Sequence, residues 1–153
     1  MIVAFFGHSS FLNAREIDCR LCAIFKSFCD EEKIELYFGG YGAFDLIAYN
    51  CAKKYYNDNK KASFYFITPY ITPSYNKNVL NHLKSNYDGI IYPPIESAPP
   101  RYAISYRNKW IAETADVIIV GVDREYGGAY AACKHAKRKR KRIINVLSDM
   151  FNK

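Results

Sequence analysis

Val117-Ile118-Ile119-Val120-Gly121-Val122 is a run of six residues without a charged or polar side chain, and it stops just before Asp123. A strand with one wet face alternates apolar and polar residues. A run without alternation is the pattern of a strand covered on both faces, as in the interior of a parallel sheet. Parallel neighbours need crossovers, usually helices, and helical patterns lie on both sides of this run. Upstream, residues 101–115 show helical spacing behind Pro99 and Pro100; downstream, residues 128–139 are rich in small residues and helical, and residues 142–147 close with another strand. The same alternation fills the first half. Residues 2–6 (IVAFF) read as a strand, and Asn13 can cap a helix carrying Ile17, Leu21, Ile24 and Phe28 at helical spacing. Residues 34–38 are a second strand, 44–56 a second helix, and 63–68 (SFYFIT) a third strand broken by Pro69. Five strands separated by helices specify an α/β fold: a single Rossmann-like, doubly wound domain over residues 1–153. Its mainly parallel five-stranded sheet is expected in the order 3-2-1-4-5. Only residues 69–100, punctuated by six prolines, break the rhythm. That stretch is too long for a plain connection and reads as an excursion that covers a site, with one or two helical turns at 79–83.

The 153 residues include 14 Tyr, 10 Phe and 1 Trp, enough to build an aromatic core and still line a pocket with rings. The net charge is +7, but Lys137 to Arg142 reads KRKRKR, and without it 16 basic residues stand against 15 acidic ones. A nearly neutral body does not favour nucleic acid as the main partner. The basic run ends a helix, where cations suit the macrodipole; its functional alternative is a sequence-independent contact to a phosphate backbone or an acidic partner. Five cysteines, no secretory signal and no membrane-length apolar run imply reduced thiols, a cytoplasmic location and no membrane. Cys19 and Cys22 form a C-x-x-C within a helical pattern. No second pair sits near it in sequence and the three histidines are scattered, so neither a metal nor a cofactor is expected.

In a doubly wound sheet, ligands bind beyond the carboxyl ends of the strands. Three expected strands end there in glycine loops: Gly7-His8-Ser9-Ser10, Gly39-Gly40-Tyr41-Gly42, and Asp123-Arg124-Glu125-Tyr126-Gly127-Gly128. Glycines let a backbone approach an anion closely, and helix amino termini offer N–H groups to it. A phosphate-bearing ligand is therefore expected, although neither the G-x-G-x-x-G fingerprint nor a P-loop occurs. Arg107 shares a helical stripe with Ile104 and Ile111, so it either pairs with a carboxylate such as Asp45 or Glu113, snorkels at the helix edge, or meets a bound phosphate. Asn108 lies beside it. His8, at the mouth of the first strand, can donate to a phosphate or act as an acid or base, and Tyr41 and Tyr126 can stack on a base. Glu125 can hydrogen-bond a ribose.

GHSSF after the first strand, GGYGAFD after the second, and YPPIESAPPRYAISYRNKWIAETADVIIVGV followed by YGGAY resemble the SLOG superfamily, which contains the DprA/Smf and LOG proteins. The likeness is strongest to its small YpsA-like bacterial or phage-type members and runs from Ile2 to about Val146. It implies a Rossmann-like domain with a pocket for a nucleotide or nucleotide-derived ligand, as used in bacterial defence signalling, and it permits a homo-oligomer. LOG-type phosphoribohydrolases carry P-G-G-x-G-T-x-x-E. Here Phe38 replaces the Pro, Ala43 the Thr, and Leu46 stands where the catalytic Glu belongs. Asp45 matches the Asp usual in YpsA-like members and reads as a binding or helix-capping residue. The expected ligand-binding set is Gly7, His8, Ser9, Gly39, Gly40, Tyr41, Gly42, Asp45, Arg107, Asn108, Tyr126, Gly127 and Gly128. The expected function is binding of a small nucleotide-type molecule as a sensor, carrier or sequestering protein. Two alternatives follow: a LOG-like N-glycosidase using Asp45 or Glu125, and a nucleic-acid accessory protein using the basic run.

Overall fold

The computed structural model describes residues 1–8, 14–40, 42–57 and 59–147. Its elements are β1 (Ile2–Gly7), α1 (Ala14–Ser27), β2 (Ile34–Phe38), α2 (Gly42–Tyr56) and β3 (Ala62–Ile67). There follow two single turns, α3 (Pro73–Tyr75) and α4 (Asn81–Leu83), joined by a π-helical turn over Asn76–Leu80, then β4 (Gly89–Ile91). The chain closes with α5 (Ala103–Thr114), β5 (Val117–Gly121), α6 (Gly128–Arg138) and β6 (Arg142–Asn145). All strands are parallel, in the order β4-β3-β2-β1-β5-β6. The five strands expected from the sequence keep their expected order. The sheet nevertheless has six strands, because three residues of the proline-rich excursion pair outside β3, from Tyr65↔Gly89 to Ile67↔Ile91. The expected Asn13 cap lies outside the described residues.

Period-two alternation sorts the strand residues onto the two faces. Val3, Phe5, Val117 and Ile119 join the core under α1 and α2, while Ala4, Phe6, Ile118 and Val120 join the core under α5 and α6. On the first face, Phe5 stacks on Phe38 (ring centroids 4.8 Å) and Phe38 on Phe64 (6.0 Å), nearly parallel rings laddered across β1, β2 and β3. Among the described residues no helix is long and apolar enough to cross a membrane.

One side chain fixes how α2 meets the sheet. Gly7 and Gly121, register partners at the ends of β1 and β5, leave a notch that the fully buried Phe44 ring fills. A Cβ on Gly121 would stand 2.6 Å from that ring, and one on Gly7 would overlap it. Phe44→Ala is therefore expected to cost about 3–5 kcal/mol, read as a lowered urea midpoint at unchanged m-value. A loss below 1 kcal/mol would show that the notch does not anchor the helix.

Candidate functional site

The strand order reverses at β1, and a cleft of about 440 Å³ opens there at the carboxyl ends. It is lined by Gly7, His8, Gly39, Gly42, Asp45, Arg107, Asn108, Tyr126, Gly127 and Gly128, together with Phe5, Phe6, Ile104, Arg124 and Ala129. Of the expected set, Ser9 and Tyr41 lie outside the described residues. Gly40 belongs instead to a second cavity of about 230 Å³ with Gly42, Asp45, Leu46, Tyr49, Leu83, Asn86 and Tyr87. The excursion lines this second cavity, whereas no residue from 69–100 lines the main cleft, so its expected role as a cover does not hold there. Glu125 is exposed and lines neither cavity.

Arg107 lies on the buried face of α5 at 2% exposure, beside Ile111; Ile104, on the same stripe, is 37% exposed at the cleft wall. Its guanidinium does not wait for an anion. Nη1 donates to the carbonyls of Gly39 (3.0 Å) and Ile67 (3.2 Å), tying together the carboxyl ends of β2 and β3 from the opposite layer. Nε and Nη2 donate to Asn108 Oδ1 at 3.2 and 3.0 Å. A sequence shows which side chains need partners, but backbone carbonyls as partners leave no signal in it.

Asp45 occupies the first turn of α2 and is buried. Its Oδ2 accepts the Gly40 N–H at 2.6 Å, the reach-back of a helix-capping carboxylate. Burial lifts its pKa to about 7, against the opposing pull of the Gly40 N–H, the Arg107 charge and the Gly39 N–H. The Gly39 and Gly40 N–H groups of the second glycine loop are thus spent on the chain's own carboxylate. His8 is buried with Nε2 3.3 Å from Asp123 Oδ1; burial and the Arg124 charge hold its pKa below the usual histidine value, while Asp123 opposes them. The first two effects favour its neutral form.

The glycines themselves differ. A Cβ on Gly39 would press on the Arg107 guanidinium at 3.0 Å. At Gly40, φ is +76° and a Cβ would stand 2.5 Å from the Phe66 ring, so both conformation and packing demand glycine. Gly127 (φ +93°) and Gly128 face open space, with no atom within 4 Å of an added Cβ. They begin α6, where no side-chain cap is made and helix geometry leaves the first N–H groups without intrahelical acceptors. Arg124, a cleft residue outside the expected set although it stands in the same loop, lies beside them, paired with Asp123 at 2.9 Å and 5.9 Å from the centre of the Tyr126 ring. Tyr126 is 67% exposed. The basic run is elsewhere: residues 137–142 span the end of α6 and the start of β6, at the amino edge of the parallel sheet, opposite the cleft. There Lys139 pairs with Glu113 at 3.4 Å and Lys141 Nζ donates to the Ala115 carbonyl at 3.1 Å.

No protein-family model matches the sequence, and no curated protein matches it. Among solved structures, the fold is similar to DNA processing protein A (DprA) from Streptococcus pneumoniae, with a TM-score of 0.61 and 16% identity over 92% of this chain and 48% of that one. It is also similar to DprA from Helicobacter pylori, a protein that binds single-stranded DNA. That match has a TM-score of 0.60 and 16% identity over 99% of this chain and 72% of that one. The chain spans about half the length of the pneumococcal protein. At this identity the likeness is one of fold: the chain has a DprA-like, Rossmann-type fold, consistent with the SLOG resemblance.

Two outcomes follow from the buried pair. Because the folded pKa of Asp45 lies above the carboxylate's value of 3.8 in the unfolded chain, its contribution to stability is full below pH 3.8 and is lost as pH rises through about 7. Between pH 5 and 8 this amounts to roughly 2–3 kcal/mol. Asp45→Asn should flatten that part of the stability–pH curve, measured by urea melts; an unchanged slope would contradict the assignment. Arg107→Met strands the Gly39 and Ile67 carbonyls and removes the cation near Asp45, so a loss of about 3–5 kcal/mol is expected without any ligand. A neutral effect on the melt would mean that the guanidinium is not a brace.

Proposed function

We propose that the cleft binds the phosphate end of a nucleotide or nucleotide-derived small molecule. In this reading the anion meets the amino terminus of α6 at Gly127–Gly128, with Arg124 beside it, while Tyr126 offers a face to the base. The observation that carries the proposal is the open space over Gly127 and Gly128, set against the filled space over Gly7, Gly39 and Gly40. Among the described glycines of the three loops, Gly127 and Gly128 combine open space with helix N–H groups that no capping side chain engages. In this reading the chain acts as one domain that senses, carries or sequesters its ligand. Leu46, at the place of the LOG-type catalytic Glu, is 60% exposed and lines the second cavity rather than the cleft, which supports binding without turnover.

Single-stranded DNA is the second reading, favoured by the fold's likeness to the Helicobacter pylori protein. In that case the nucleotide in the cleft is one unit of a strand, and the basic run at the opposite sheet edge is too remote to share the same site.

Gly128→Leu separates the site from the fold, because its side chain enters empty space. The variant should melt close to the wild type yet bind nucleoside 5′-phosphates at least tenfold more weakly by calorimetry, a loss of about 1.4 kcal/mol. Unchanged affinity would remove the α6 terminus from the site. Tight binding only to oligonucleotides, with a steep salt dependence, would favour the DNA reading. Release of free base from a nucleoside monophosphate, abolished by Asp45→Asn, would establish the hydrolase instead.

A further inference from the structure

We propose that Asp18, Cys22 and Cys51 form a site for a thiophilic divalent cation, of the zinc or cadmium type, at the seam between α1 and α2. Asp18 and Cys22 are one helical turn apart and so share a face of α1, and Cys51 comes from α2 opposite. The carboxylate oxygen and the two sulfurs lie within 4.8 Å of one another. The two Sγ atoms are in contact at 3.3 Å, and Cys51 Sγ reaches the Asp18 carbonyl at 3.5 Å. Sulfurs bound tetrahedrally to zinc at about 2.3 Å stand about 3.8 Å apart, so the pair need open by only about 0.5 Å. Two thiolates select a soft metal over magnesium or calcium.

Burial gives the site its form. Cys51 is buried in the helix–helix core, while Asp18 and Cys22 are half-buried, so a fourth position opens toward water. The C-x-x-C of the sequence divides: Cys19 is exposed and outside the cluster, and Cys22 finds its partner on another helix. Binding forms two metal–sulfur bonds as two thiol protons leave to solvent. The bound cation braces α1 against α2, whose first turn carries Asp45.

The test is titration of the whole protein with cadmium, then zinc, under a phosphine reductant that keeps all thiols reduced. Cadmium should give a sulfur-to-metal charge-transfer band that saturates at one equivalent. Cys22→Ser, a half-exposed position that tolerates a hydroxyl, should lose the band. Asp18→Asn should weaken the affinity about tenfold, and Cys19→Ser should change neither band nor affinity. Excess zinc should raise the melting temperature of the wild type and not that of Cys22→Ser. Failure to develop a band would overturn the proposal. So would a band that survives Cys22→Ser or disappears in Cys19→Ser, since the metal would then sit on other thiols.

Discussion

The carboxyl edge of this sheet depends on a cation buried where the strands end. Arg107 reaches from α5 to the carbonyls of Gly39 and Ile67 and so fastens β2 to β3 just where their ladder stops. Its charge lies near Asp45, which closes the first turn of α2 by accepting from the Gly40 N–H. A desolvated guanidinium and a desolvated carboxylate are each costly alone, so each constrains where the other's element can sit. The Phe44 ring, one residue before Asp45, locks the same turn into the Gly7–Gly121 notch. Loop, helix and strand ends are thereby set before any ligand arrives.

That prior commitment decides what the cleft has left to offer. An anion approaching the second loop would compete with a carboxylate already bonded to the Gly40 N–H. At the amino terminus of α6 no side chain makes the cap, and the backbone is accessible. Charge placement fits the same division of labour. The KRKRKR cations gather where α6 ends, complementing its carbonyl end, and leave Arg124 as the basic side chain beside the open loop.

Most of the architecture was legible because burial on both faces writes continuous apolar runs: residues 2–6 and 117–122 are such runs, and 34–38 is broken only by Glu35. β4 was not legible: three residues beginning with Gly89 carry no period, and only their register against β3 makes them a strand. The location of the site was legible from three glycine loops on one edge of the sheet. Their differing roles were not, because a glycine that admits a ligand and a glycine that admits Phe44 or Phe66 are the same letter. Arg107 was visible as a cation in need of partners, but its main-chain acceptors come from strand ends distant in sequence. The cysteine spacing pointed to Cys19 with Cys22, whereas packing of α1 on α2 joins Cys22 to Cys51.

The assignment of the anion to the third loop is tested most directly by following backbone amide resonances while a nucleoside 5′-monophosphate is titrated into the protein. The largest shifts should fall on Gly127, Gly128 and Ala129, with Gly39 and Gly40 little moved because Asp45 and Arg107 already hold that loop. The reverse pattern, with Gly40 dominant and Gly128 unchanged, would contradict it and return the ligand to the loop after β2.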